Sequence, residues 1–162
     1  MKQIRRNVFE TNSSSTHSIS FSSKKKALED STLKIEDDGY IHTEFGEFGW
    51  EIENYTRQED KLQYLITMIA CMNGCNPMWN DESFDKFRTE ITELDDFKIL
   101  NEEIIKHTGC ENGLYIDESD GYIDHQSVEN GSLKSYLRDW GVKNCIEFIF
   151  GDVIVHTDND NH

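Results

Sequence analysis

One proline in 162 residues, Pro77, leaves no room for a proline-rich linker, and no repeat or low-complexity tract divides the chain. Hydrophobic residues make up 36%, a low share for a globular protein. No apolar run approaches the roughly 20 residues of a membrane-spanning helix. The first residues are basic, but polar, strand-like sequence follows where a signal peptide would carry its apolar segment. A cytoplasmic protein with no membrane partner is expected. Its four cysteines should then be reduced, and the sequons at Asn12 and Asn54 carry no meaning.

Basic residues are the other scarcity. Sixteen stand against 32 acidic ones, a net charge of −16 and a pI near 4.6. The imbalance is local. Residues 1–26 hold Lys2, Arg5, Arg6, Lys24, Lys25 and Lys26 against Glu10, a net +5, while the other 136 residues hold 10 basic and 31 acidic, a net −21. Phosphate binding needs clustered Lys and Arg, so direct nucleic-acid binding by this body is not expected. A basic protein or a divalent cation suits it better, although acidity also serves solubility alone.

What remains is enough for a core. Eighteen aromatics and several periodic segments argue against disorder, and the length fits one domain spanning 1–162. Lys2–Phe9 and His17–Ser22 read as strands, joined by ETNSSST. Leu33–Glu36 and Tyr40–Phe45 flank Asp37-Asp38-Gly39, a hairpin signal. Thr56 and Glu59 form a capping box before Leu62, Leu65, Ile66 and Ile69, which keep helical spacing until Asn73-Gly74. A second helix starts at Asn80 or Asp81 with Phe84, Phe87, Ile91 and Leu94 on one side. A third, or its continuation, runs through Phe97, Leu100, Ile104 and Ile105 to Gly109. Gly113–Asp117 and Tyr122–Asp124 flank Glu118-Ser-Asp-Gly121 as another hairpin. A short helix is predicted over Ser132–Asp139, a helical turn or strand over Cys145–Phe150 and a strand over Val153–His156. The order predicts an α+β domain, a mainly antiparallel sheet with two or three helices packed on one side.

Polar patches carry the candidate chemistry. In ETNSSSTHS, His17 is a candidate base for Ser13, Ser14 or Ser15, but no nucleophile elbow is present. The same hydroxyls, with Arg5 and Arg6, suit an anion such as phosphate, or simply cap a turn. In YIDHQS, alternation in a strand puts His125 and Ser127 on one face and Asp124 and Gln126 on the other. Two histidines, His17 and His125, with Asp124 would serve acid–base work or a transition metal. The tail from His156 to His162 is a string of oxygen and nitrogen donors without calcium-loop spacing. Cys71, Cys75, His107 and Cys110 form a Cys3His set that could hold zinc, the one cofactor the sequence suggests, though H-x-x-C is not a diagnostic second half. Glu44, Glu47, Phe48, Trp50 and Glu51 make an aromatic and acidic stretch. Exposed, it would anchor a basic partner; buried, it is an edge strand with glycine bulges.

RRNVFETNSSSTHS at the start, GEFGWE at 46–51, YIDHQS at 122–127 and TDND at 157–160 together resemble a group of small uncharacterised proteins of phages and mobile elements of Firmicutes. The resembling segments span nearly the whole chain. The resemblance implies an origin rather than an activity. It favours interference with a host system, of the anti-defence or anti-CRISPR kind, and the acidic surface adds the expectation that a basic, nucleic-acid-handling host protein is what it binds and inhibits. The alternative is a small enzyme or nucleotide- or phosphate-binding protein with a pocket built from NSSSTH and DHQS.

Overall fold

The computed structural model describes residues 33–49, 53–75, 83–123 and 131–157. The two strands expected before residue 23, and the last four residues of YIDHQS, lie outside the described residues. Within them the chain order is β1 (Tyr40–Thr43), β2 (Glu47–Phe48), β3 (Glu53–Tyr55), α1 (Gln58–Met72), α2 (Phe84–Glu93), α3 (Asp95–Thr108), β4 (Gly113–Ile116), β5 (Tyr122–Ile123), α4 (Leu133–Asp139), α5 (Cys145–Phe150) and β6 (Val155–Thr157).

Helix α1 is the centre of the core. Leu62, Leu65, Ile66, Met68, Ile69 and Ala70 are fully buried, and the helix packs on α3, α5, β1 and β5. A helix surrounded in this way holds its shape by burial rather than by caps. The expected capping box does not form. The helix starts later, at an Arg57 N-cap with no side-chain cap bond, and the Glu59 carboxylate is taken by the Arg57 guanidinium instead. The run from Phe84 to Thr108 is two helices. Leu94 has φ −63° and ψ 137°, extended backbone that ends α2 and starts α3. Ser132 and Ser135 cap α4 reciprocally, and the Asn144 side chain accepts from the Glu147 N–H to start α5.

The sheet is not mainly antiparallel. Strands β1 and β4 pair in parallel, as do β2 and β5, and only β3 and β6 run antiparallel. Among the described residues there are five helices rather than two or three. The Asp37-Asp38-Gly39 turn does form: the Gly39 N–H donates to Glu36 O at 2.9 Å, with Gly39 at φ +81°, where a side chain is disfavoured. However, residues 33–36 do not extend it into a strand. The second expected hairpin does not close either, because β4 and β5 each pair with an earlier strand. Parallel pairing needs a long crossover, and α1, α2 and α3 supply it.

These two parallel pairs are one interrupted ribbon. Three residues, 44–46, separate β1 from β2, whereas five, 117–121, separate β4 from β5. The mismatch is absorbed by specific bonds. Asp117 N–H donates to Thr43 O at 2.8 Å, Phe45 N–H to Ser119 Oγ at 2.8 Å and Tyr122 N–H to Gly46 O at 2.9 Å. Gly121 lies so close that a Cβ there would stand 2.3 Å from Phe45 Cβ. The inner face carries Ile41, Leu114, Ile116, Phe48 and Ile123, all buried in the core.

Candidate binding face

Alternation along β1 buries Ile41 and Thr43 and leaves His42 exposed. In the register of the ribbon His42 stands opposite Tyr115, with ring centroids 5.0 Å apart, and Tyr40 meets the same ring edge-on at 5.7 Å. Arg88 reaches in from α2. Its guanidinium carbon is 4.6 Å from the Tyr115 centroid and 4.9 Å from that of Phe84. Its Nε donates to Ile116 O at 2.6 Å and its Nη1 to Asp85 at 2.7 Å.

His42 is held at both nitrogens. Nε2 lies 2.9 Å from Asp38 Oδ2, and Nδ1 lies 3.0 and 3.1 Å from the two oxygens of Asp117. The Asp38 hydrogen bond pushes the imidazole above its usual range against partial desolvation, with Asp117 adding to the rise. The same bond holds the Asp38 carboxyl below its usual value.

Charge on the ribbon is one-sided. Residues 35–48 contain five carboxylates and residues 111–123 contain four, and neither segment has a Lys or Arg. Glu44, Glu47, Glu111, Glu118 and Asp120 are exposed. Helical carboxylates behave differently, since Lys98 pairs with Glu93, Lys106 with Glu102 and Arg88 with Asp85. Among the described residues the one cation paired with a ribbon carboxylate is His42.

The residues expected from sequence fall in different places. Glu44 and Glu47 are on this face, and Glu44 also accepts from Gln63 Nε2 at 3.4 Å. Phe48 is not an exposed anchor. It is 3% accessible and packs edge-on against Tyr55 and Tyr64, while Tyr40 and Tyr115 on the outer face are half-buried. Trp50 and Glu51 lie outside the described residues. So do Arg5, Arg6, Ser13, Ser14, Ser15 and His17 near the start, and Asp124, His125 and Ser127, which together were to build a catalytic or anion site.

The zinc set is not assembled. Among the described residues no group of three His, Cys, Asp or Glu side chains could hold a metal ion. His107 packs its ring on Phe150, with centroids 4.2 Å apart, and Cys110 is buried at the end of α3. Cys75 lies 3.6 Å from the Glu90 carboxylate, and burial pushes its thiol up to about 11. Burial likewise raises the Cys71 thiol. The tail histidine, His156, bonds through Nδ1 to Asn54 Oδ1 at 2.7 Å, tying β6 to β3, and the donors after Thr157 lie outside the described residues.

Sequence reasoning missed His42, because its two partners are four and 75 positions away. It also missed Lys61, whose side chain is fully buried on α1 and donates to Gly151 O at 3.0 Å and Val153 O at 3.2 Å. The signal for Lys61 was its place beside Leu62, where the apolar spacing of the helix begins. No helix among the described residues is long and apolar enough to cross a membrane. Compared with protein-family models, curated proteins and solved structures, the chain matches none.

Proposed function

We propose that this chain is a binding protein that blocks a basic, nucleic-acid-handling host protein, as an accessory factor of a phage or mobile element. The reading rests on one observation: nine carboxylates with no Lys or Arg in the two segments that form the parallel ribbon. Carboxylates displayed along one ribbon meet a Lys- and Arg-lined groove as phosphates would. The ribbon's inner face is buried in the core against α1, which fixes the spacing and presents the face without ordering cost on binding.

The test is capture from host lysate. A basic partner should bind at about 0.1 M salt and be released by about 0.5 M, where exposed charge pairs are screened. Nucleic acid should compete with the chain for it. Reversing Glu44, Glu47 and Glu118 to Lys should slow association about tenfold or more, with a smaller effect on dissociation. Reversing Glu93 and Glu102, which α3 and its neighbour already pair with lysines, should matter far less. Salt-insensitive capture, or capture indifferent to the ribbon substitutions, would sink the proposal.

A further inference from the structure

A carboxylate oxygen only accepts hydrogen bonds, so an imidazole with carboxylates at both nitrogens must donate from both. Only the imidazolium can do so. His42 has this arrangement, at 2.9 Å to Asp38 and 3.0 Å to Asp117. Neutral imidazole keeps one N–H and turns a lone pair toward the other carboxylate, which repels it. The two aspartates belong to different segments. Asp38 sits in the turn that leads into β1, and Asp117 opens the five-residue loop between β4 and β5.

We propose that Asp38, His42 and Asp117 form a proton-operated clasp: the imidazolium ties the turn at 37–39 to the loop at 117–121, and losing its proton releases one of the two aspartates. The groups facing His42 from neighbouring elements leave it as the switching residue. Tyr115 from β4 presents its ring, Tyr40 packs on that ring, and the Arg88 guanidinium from α2 is already engaged by Asp85 and Ile116 O. With the imidazole raised from 6.5, release falls above that pH. The side chain is one-third exposed, so the proton exchanges with solvent directly. Release adds one negative charge to the ribbon and frees a carboxylate for another cation. The clasp stands on its own geometry, whether or not the ribbon takes a basic partner.

The experiment is an NMR titration of the full chain from pH 5 to 9, following the His42 ring and the backbone amides of 37–39 and 117–121. The expected result is one transition with a midpoint above 6.5, seen by the ring and by the amides of the segment whose aspartate is released. Asp38→Asn and Asp117→Asn keep shape and accepting oxygen but remove charge, and each should lower the ring midpoint by about half a pH unit or more. In His42→Gln the transition should vanish from both segments. A ring midpoint at or below 6.5, amides of 37–39 and 117–121 that both stay still through the ring transition, or a transition that survives in His42→Gln would each overturn the clasp.

Discussion

Lys61 shows how a buried charge is tolerated at the scale of one residue. Its ammonium sits among apolar neighbours on α1 and finds two carbonyls at the end of α5, one of them Gly151 O in the residue that closes that helix. Burial pushes the amine from 10.5 down to about 8, against the nearby Asp152 charge. A depression of that size corresponds to a cost on the order of 3 kcal/mol for the charged form at pH 7. Two lost hydrogen bonds to carbonyls would cost about 1–3 kcal/mol each. The two effects oppose, so Lys61→Met should change stability at pH 7 by no more than about 2 kcal/mol. pH separates them. Between 8 and 10.5 the unfolded chain holds a proton at Lys61 that the folded chain has lost, so this residue's contribution to stability rises with pH there. Urea unfolding at pH 7 and pH 10 should therefore show wild type gaining on Lys61→Met as pH rises. Thr43 is the opposite case. Its Oγ1 is the one buried side-chain oxygen or nitrogen without a hydrogen-bond partner among the described residues. Thr43→Val removes that hydroxyl at equal shape and should be neutral or stabilising by up to about 1 kcal/mol, read by thermal unfolding.

At the scale of elements the parallel ribbon depends on how it absorbs two extra residues. Ser119 Oγ takes the Phe45 N–H that would otherwise have no strand partner, and Ser119→Ala should cost about 1–2 kcal/mol. Gly121→Ala brings a methyl against the Phe45 side chain and should cost about 1–3 kcal/mol. Amide exchange should locate both losses in 44–46 and 117–122 rather than in α1. The helices were legible in the sequence because their signals are local: apolar spacing through Leu62–Ile69, a serine ahead of Leu133, a glycine after Thr108. Strand partners were not. Asp37-Asp38-Gly39 and Ser119-Asp120-Gly121 both look like hairpin turns, but pairing is decided by which apolar residues reach the core together. Ile41 against Leu114 and Thr43 against Ile116 give that answer across more than 70 positions. The binding face was half legible for the same reason. Glu44 and Glu47 stand out in composition, whereas Asp38 and Asp117 read as turn-flanking residues until the ribbon brings His42 between them.

At the scale of the whole molecule, alkaline pH and salt act on different populations of groups. Burial raises the Cys71, Cys75 and Cys145 thiols above 9.0, Cys145 further through its 2.9 Å contact with Glu103, and lifts the Tyr64 hydroxyl to about 12. Each contributes stability that is complete below its unfolded value and is lost as pH climbs toward the folded one. Their combined loss opposes the gain from Lys61, so the protein should weaken above about pH 9, and Cys145→Ala should flatten that decline in urea unfolding.

Salt acts on the exposed carboxylates. Nine of one sign in two adjacent segments repel one another, and the fold bears that cost at low ionic strength. Neutralising Glu44, Glu47 and Glu118 to Gln together should therefore raise the melting temperature by about 1–3 °C at 20 mM salt, and by nothing measurable at 0.5 M. The same triple substitution should weaken capture of a basic partner at low salt. A surface that costs stability and is kept for binding predicts this opposition. If the triple variant were more stable and bound as well as wild type, the ribbon's charge would have no part in recognition. If it were less stable, the carboxylates would have structural partners that explain their presence without any ligand.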